Sequence, residues 1–433
     1  MSRYLRYILP TVLVFVVLVA GCDDRGRNVP TVTVPSDYGT DPTDHVFFTF
    51  GGDPQLLMQI SNPAALLSLD TYIPQISLTP ANGGENRPVP TLILLAPEGE
   101  TEYYYLEHGL YELAHEMIEN GEIQPMTIVC VGNDQVFGGY FYGSSYPAGF
   151  YDQVLGDEMI DYLEMRYPET FINDKAKIGI GGIGQGAYGA FRAAIKSELY
   201  GSISVVDGPL DFDGATGTGG LIPLMDQVFV EQSTLTAANW RSAPPAGMDS
   251  LRSYPISRMF IGGALAFTPH DTGLTYTVTL DTTTSGGVIS VEANVNVTEQ
   301  RQIADTVSLM RFIVGSADNL TGITWYFHLP FSFTQRPYQP IWDLWMDNDL
   351  EALHAAQGGS PLADVNMWIG TSTQAKWGYH DMTMSWIATL QNAGYAPETY
   401  TYGGYEGYPA ENGEFMYDLL RKMLIFHSES FGD

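Results

Sequence analysis

The segment that decides the fold is a glycine-rich turn between a predicted strand and a predicted helix. Residues Lys177 to Ile195 read KIGIGGIGQGAYGAFRAAI. Its apolar start is typical of a buried strand, and its alanine-rich end is typical of a helix that follows at once. Within the turn, GIGQG at 182–186 has the spacing of a nucleophile elbow, G-x-S-x-G, which holds a serine above a parallel sheet. A dinucleotide or phosphate loop is disfavoured, because no Lys-Ser or Lys-Thr pair follows the glycines and the turn lies deep in the chain.

Predicted strands and helices alternate on both sides of this turn. Apolar, β-rich runs predict strands at residues 91–95, 126–131, 176–181, 202–206, 365–369 and 398–402. Helical patterns between them predict helices at residues 106–120, 152–167, 187–197, 381–393 and 413–428. This alternation is typical of an α/β fold, in which a mostly parallel sheet carries helices on both faces.

The stretch 211–340 interrupts the alternation and predicts an inserted cap or lid. Two segments with alternating apolar and polar residues, 274–280 and 288–297, flank a glycine turn, which predicts an antiparallel hairpin. The α/β domain is therefore expected in two parts, residues 46–210 and residues 341–433, on either side of the insertion.

The composition is that of a folded and strongly acidic protein. The chain has 433 residues, of which 45% are hydrophobic and 16% are charged, so it can bury a large core and is not a disordered acidic chain. Its 50 acidic and 19 basic side chains give a net charge of −31. This charge excludes electrostatic binding of nucleic acids, which needs Lys and Arg to neutralise phosphates, and it disfavours other anionic partners.

The first residues predict a bacterial lipoprotein signal peptide over 1–22. Arg3 and Arg6 precede an apolar run at 8–20. This run is too short to span a membrane, which takes roughly 18 to 20 residues. The residues just before Cys22 resemble a lipobox, in which the cysteine is acylated. We therefore expect Cys22 to anchor the chain to a bilayer of the cell envelope, facing the periplasm or on the cell surface, with residues 23–45 as a flexible tether. The alternative is an ordinary cleaved signal with a chance cysteine.

Four segments around the elbow, together with it, resemble the esterase family of α/β-hydrolases related to esterase D and to bacterial feruloyl esterases. They are PTLILLAPEG at 90–99, GGYFYGSS at 138–145, GFYDQVLGDEMI at 149–160 and LYGSISVVDGPLDF at 199–212. The resemblance implies an α/β-hydrolase fold. It also implies ester hydrolysis by a Ser-His-Asp triad and no cofactor.

The residues that the family uses for catalysis are replaced at four positions. Aligned on the family's motifs, the nucleophile position is Gly184, the acid position is Thr373 and the histidine position is Tyr405. The segment that helps to form the oxyanion hole carries Glu98, whose charge would oppose a developing oxyanion. Glycine has no Oγ, and tyrosine, with a pKa of about 10, is a poor base at neutral pH.

These replacements predict a non-catalytic binding or scaffold module, with no catalytic residue. The alternative is an active carboxylic-ester hydrolase whose nucleophile has moved to Ser144 or Ser145. A serine within hydrogen-bond reach of a histidine would favour that alternative.

A surviving pocket is expected to be lined by Tyr142, Ser144, Ser145 and Gln185. Seven tyrosines, if clustered at its mouth, would suit a saccharide or peptide, although ordinary packing explains them equally well. They are Tyr103, Tyr104, Tyr105, Tyr140, Tyr142, Tyr146 and Tyr405. The ligand itself stays unknown, with a saccharide, a peptide or an ester as candidates.

No metal or nucleotide motif appears in the sequence. His108 and His115 lie seven residues apart on one predicted helix, but no compact carboxylate partner accompanies them. His380 and Asp381 open another predicted helix, where Asp381 is expected to serve as the N-cap.

Overall fold

The chain folds around one central sheet. The computed structural model describes residues 46–49, 66–72, 88–133, 139–145, 149–215, 217, 219–233, 254–269, 271–285, 288–302, 309–313, 324–331, 336–358, 361–403 and 413–432. The predicted signal peptide, Cys22 and the tether lie outside these residues.

The central sheet has eight strands in the order β1-β2-β4-β3-β7-β8-β13-β14. They are β1 (Val46–Thr49), β2 (Leu66–Tyr72), β3 (Thr91–Leu95), β4 (Thr127–Val131), β7 (Ile178–Ile183), β8 (Ser202–Val206), β13 (Asn366–Ser372) and β14 (Glu398–Tyr402). The strands from β4 to β14 run parallel, and β2 is antiparallel to both of its neighbours. This strand order, with an antiparallel second strand, is that of the α/β-hydrolase fold, so the predicted fold is confirmed.

Helices connect the strands and cover both faces of the sheet. They are α1 (Tyr104–Glu107), α2 (Leu110–Glu119), α3 (Tyr151–Gln153), α4 (Met159–Arg166), α5 (Gln185–Lys196), α6 (Ile222–Glu231), α7 (Pro255–Phe267), α8 (Gln339–Met346), α9 (Leu350–Ala356), α10 (Tyr379–Asn392) and α11 (Gly413–Ser430). A π-helical turn, Val154–Glu158, joins α3 to α4. Among the described helices, none combines the length and the apolar character needed to cross a bilayer.

Two predicted helix starts differ from the structure. The helix predicted at 106–120 is divided between α1 and α2 at Gly109, whose φ of 76° a helix cannot contain. The N-cap of α10 is Gly378 rather than Asp381, which lies in the first turn. The capping prediction was therefore wrong, because the helix begins two residues earlier than the sequence pattern indicated.

The sheet separates two buried layers. Along β3, Ile93 faces the layer that contains α5, α7 and α10, and Leu92 faces the layer that contains α2 and α11. The same alternation occurs in β4, where Val129 and Ile128 face opposite layers. Strands buried on both faces explain why the sequence shows continuous apolar runs there.

The insertion lies between β8 and β13, as predicted. It contains the long hairpin β9 (Asp271–Ser285) and β10 (Val288–Gln302), which pair antiparallel, so the predicted hairpin is confirmed. A second antiparallel pair, β11 (Leu309–Ile313) and β12 (Thr324–His328), follows it. The exact domain boundaries stay a prediction.

A buried carboxylate, that of Asp349, links the start of α9 to the chain that follows β8. Asp349 is the N-cap of α9, and its Oδ1 accepts a hydrogen bond from the Glu351 N–H at 2.8 Å. Its Oδ2 accepts one from the Phe212 N–H at 2.8 Å. Burial, with a smaller effect of the nearby carboxylates Asp211 and Asp213, raises the pKa of Asp349 to about 7.

A buried ion pair holds α5 against its neighbours. Arg192 donates to both oxygens of Asp152, at 2.7 and 2.9 Å, and to the Asn348 Oδ1 at 3.0 Å. Arg192 is 3% exposed. Burial alone would raise the pKa of Asp152, but Arg192 and Lys196 outweigh it, and this pKa lies below its ordinary value. The pair joins α5 to α3, and the bond to Asn348 joins α5 to the turn between α8 and α9.

Candidate functional site

The turn between β7 and α5 has the geometry of a nucleophile elbow. β7 ends at Ile183, α5 begins at Gln185, and Gly184 between them has φ 61° and ψ −126°. The Gly184 N–H donates to the backbone oxygens of Val206 (3.1 Å) and Asp207 (2.8 Å) at the end of β8. Gly184 thus lies in the turn where the motif predicts the nucleophile, and as glycine it offers no side chain.

The two flanking glycines are required by packing. A Cβ on Gly186 would lie 2.0 Å from the backbone oxygen of Leu95 in β3. A Cβ on Gly182 would lie 2.4 Å from the backbone carbon of Gly186. No side chain fits at either position, so the strand and the helix can approach each other only because both residues are glycines.

The carboxylate of Glu98 contacts the backbone donor next to the elbow. Glu98 Oε2 accepts the Gln185 N–H at 3.0 Å, and Oε1 accepts the Tyr379 hydroxyl at 3.1 Å. In this fold the N–H after the nucleophile is one donor of the oxyanion hole. Burial raises the pKa of Glu98, although the bonds from Gln185 and Tyr379 lower it. The side chain expected to oppose an oxyanion therefore lies on the oxyanion donor itself.

The structure places Thr373 at the surface. It follows β13, its side chain is exposed, and its N–H donates to the Tyr402 oxygen at 2.9 Å. Tyr405, the residue at the expected histidine position, lies outside the described residues, as does Tyr146. The positions assigned to the acid and the histidine remain predictions.

A carboxylate that the sequence analysis missed lies one strand away. Asp207 follows β8 with a φ of 42°, and it is 2% exposed. It accepts hydrogen bonds from the Thr371 hydroxyl (2.8 Å), the Ser372 N–H (2.8 Å) and the Tyr402 hydroxyl (2.7 Å). Burial raises the pKa of Asp207, although these three donors lower it.

A histidine joins this group through Thr371. The His380 Nδ1 lies 3.2 Å from the Thr371 Oγ1. Because the Thr371 hydroxyl gives its hydrogen to Asp207, it can only accept from His380, so the proton of a neutral imidazole is assigned to Nδ1. Nε2 is then left as an acceptor. The sequence offered one signal, the pair His380-Asp381, which was interpreted as a helix cap.

Four of the seven tyrosines that could form an aromatic surface do not lie at the surface. The rings of Tyr104, Tyr105, Tyr140 and Tyr142 are buried in the core. The Tyr142 hydroxyl donates to the Ala96 oxygen at 2.8 Å, and the Tyr105 hydroxyl donates to the Leu95 oxygen at 2.8 Å. The prediction that Tyr142 lines a pocket was wrong. A tyrosine can be buried in the core when its hydroxyl finds a backbone acceptor.

The Gln185 side chain is also buried. Its Oε1 accepts from the Phe141 N–H at 3.1 Å and from the Asn133 Nδ2 at 3.2 Å. Its Nε2 has no hydrogen-bond partner. The side chain is fully enclosed, so the predicted pocket-lining role fails for it, and only its backbone N–H faces the elbow site.

Ser144 and Ser145 make structural hydrogen bonds in a short strand, β5 (Ser144–Ser145), which pairs with β6 (Gly149–Phe150). The Ser144 Oγ accepts the Asp152 N–H at 2.7 Å. The Ser145 hydroxyl donates to the Leu265 oxygen at 2.6 Å. Since a hydroxyl has one hydrogen, Ser145 in this arrangement does not give a proton to a base.

The described residues do bring serines to a histidine, but inside the core. The His427 Nδ1 lies 2.8 Å from the Ser202 Oγ, and Nε2 lies 2.7 Å from the Ser204 Oγ. Both serines and the histidine are fully buried between β8 and α11. Burial lowers the pKa of His427 to about 3. A neutral imidazole that bridges two strand hydroxyls stabilises the core and has no route to a substrate.

No group of three or more metal-ligating side chains occurs in the part of the chain that the structure describes. His108 and His115 belong to different elements, since His108 ends α1 and its Nδ1 lies 2.6 Å from the Tyr104 oxygen. His115 pairs with Glu119 on α2.

Comparisons with known proteins find similarity among solved structures, at low sequence identity. No family model matches the chain, and no curated protein matches its sequence. Among solved structures it resembles a ferulic acid esterase, with 12% identity over 90% of this chain and 98% of that one and a TM-score of 0.48. It also resembles a fluorophosphonate-binding serine hydrolase of Staphylococcus aureus, with 12% identity, 89% and 99% coverage and a TM-score of 0.47. An S-formylglutathione hydrolase of Agrobacterium tumefaciens is similar at 11% identity, 90% and 95% coverage and a TM-score of 0.45.

Proposed function

We propose that this chain is a cell-envelope lipoprotein whose esterase-like α/β-hydrolase domain binds or scaffolds a partner and does not hydrolyse esters. The observation that carries the proposal is the elbow. Gly184 has the backbone geometry of the nucleophile position without a nucleophile, and the Glu98 carboxylate lies on the adjacent Gln185 N–H. Attack on an ester and stabilisation of the resulting oxyanion are both opposed at this one place.

The contact of Ser145 supports the same conclusion, since its hydroxyl gives its hydrogen to a backbone oxygen, whereas Ser144 accepts a hydrogen bond and keeps its own hydrogen. Ser144 and Ser145 bond to backbone groups of Asp152 and Leu265. The ligand class stays open among a saccharide, a peptide and an ester. The buried tyrosines no longer favour the first two.

The activity test is labelling with a serine-directed fluorophosphonate and turnover of short p-nitrophenyl esters by the purified domain. We expect neither above a heat-treated control. Turnover that disappears in Ser144→Ala or Ser145→Ala, with Ser197→Ala as a matched serine control, would establish the relocated-nucleophile alternative.

The anchor is tested by Cys22→Ser. Acyl chains contribute roughly 0.8 kcal/mol per buried CH₂, and stable anchoring needs two such signals, so the variant is expected in the soluble fraction. Membrane association of the variant equal to that of the wild-type protein would contradict lipid anchoring through this residue.

A further inference from the structure

Three elements that are distant in sequence converge on the Glu98 carboxylate. Glu98 lies in the loop after β3, the Gln185 N–H begins α5, and the Tyr379 hydroxyl comes from the first residue of α10. Each carboxylate oxygen receives one of these donors, at 3.0 and 3.1 Å. The Met259 sulphur of α7 lies 3.6 Å from the same hydroxyl, so the insertion closes over the group.

The two donors come from different helices, and each serves one oxygen of the carboxylate. Gln185 is the first residue of a helix of 12 residues, where backbone N–H groups and the helix dipole favour negative charge. Tyr379 is fully buried and belongs to a different helix, so the binding geometry does not depend on the helix end alone. Such charge-assisted hydrogen bonds are among the stronger ones in proteins.

We propose that Glu98 is an internal ligand, an autoinhibitory contact that fills a two-donor carboxylate site formed by the Gln185 N–H and the Tyr379 hydroxyl. With Glu98 in place, the elbow is closed to small carboxylates. When the Glu98 carboxylate is removed, the same donors accept a free carboxylate. This inference goes beyond the proposed function, because it holds whether or not a relocated serine is active.

The experiment replaces the internal carboxylate with a dissolved one. Glu98→Ala is titrated with sodium acetate at constant ionic strength, balanced with sodium chloride, and the melting temperature is measured. We expect a saturable increase, of about 2 °C at tenfold the half-saturating concentration. Wild type should not respond, because its site is filled.

Two variants assign the effect to this site. Glu100→Ala removes an exposed carboxylate two residues away and should behave as wild type. Adding Tyr379→Phe to Glu98→Ala removes one donor and should abolish or markedly weaken the acetate response. Trp377 contacts Tyr379 edge to face, with ring centroids 5.7 Å apart, so a fluorescence change on acetate binding that Trp377→Phe abolishes gives a local second readout.

Acetate that stabilises Glu98→Ala no more than it stabilises wild type overturns the proposal. So does a response that Tyr379→Phe leaves unchanged. If Glu98→Ala is too unstable to purify, Glu98→Ser is titrated instead, since its short side chain also leaves the site without the carboxylate. The same two outcomes then decide. Ester hydrolysis is not part of the readout, so failure here is distinguishable from failure of the proposed function.

Discussion

Gly184→Ser tests both the strain of the elbow and the proposed loss of catalysis. The dihedral angles of Gly184, φ 61° and ψ −126°, are those of the first central residue of a type II′ turn, which glycine dominates. A serine held there costs on the order of 1 to 3 kcal/mol, because the two hydrogen bonds from the residue 184 N–H to β8 fix the backbone. We therefore expect the free energy of unfolding to fall by this amount.

The measurement is urea unfolding with linear extrapolation, in which the m value should not change. Gly121→Ser is the matched control, since Gly121 has a φ of 70° and nothing lies within 4 Å of its added Cβ. That control stays in the left-handed helical region, which costs roughly 1 to 2 kcal/mol. A Gly184→Ser variant clearly more stable than this control would contradict the strain argument.

The same variant should remain near background in p-nitrophenyl ester hydrolysis. Triad members act as a unit, so a restored hydroxyl without its base and its oxyanion hole gains little. Regaining activity should require Thr373→Asp and Tyr405→His as well, and Glu98 would still oppose it. Strong turnover by Gly184→Ser alone would mean that a base and an acid are already in place, and the assignments of Thr373 and Tyr405 would be wrong.

Three further changes test the buried charges. Arg192→Met should lower the free energy of unfolding more than Lys196→Met does, since Arg192 is buried and bonds to both oxygens of Asp152 and to Asn348, whereas Lys196 makes one bond; an equal loss in the two variants would contradict this. Asp349→Asn should gain stability relative to wild type as the pH rises from about 4 to 7, because the raised pKa of Asp349 makes its ionisation destabilising there. As the pH falls from about 6.5 to 3, His427→Gln should lose less stability than wild type. In that range His427 binds a proton in the unfolded wild-type protein and stays neutral in the folded one. Denaturant titrations at several pH values check the predictions for Asp349→Asn and His427→Gln. Plots of unfolding free energy against pH that run parallel for variant and wild type would contradict them.

The strands and the elbow were predictable because their signals are local. The strands Thr91–Leu95, Ser202–Val206 and Glu398–Tyr402 were predicted to the residue from apolar or alternating runs. The elbow was visible because its flanking glycines are imposed by backbone contacts of neighbouring elements. Such short-range constraints leave a pattern that a single sequence displays.

The groups around the elbow were not predictable because their contacts are distant in sequence. Asp207 and Thr371 are 164 positions apart, and Glu98 and Tyr379 are 281 apart. Nothing in the local pattern of Asp207 distinguishes a buried acceptor of three hydrogen bonds from a solvated loop residue. The burial of the tyrosines was not predictable for a related reason. No local sequence pattern indicates that a tyrosine hydroxyl will donate to a backbone carbonyl of another element.

The close packing at Gly186 has a consequence for how such proteins change over time. A Cβ there would lie 2.0 Å from the Leu95 oxygen, so this glycine is held by folding and not by chemistry. A side chain at either flanking glycine would disrupt the packing of the strand and the helix, whatever residue lies between them. A chain of this kind can therefore keep both glycines of the motif whether or not it hydrolyses esters, and only the middle residue supplies or lacks a nucleophile.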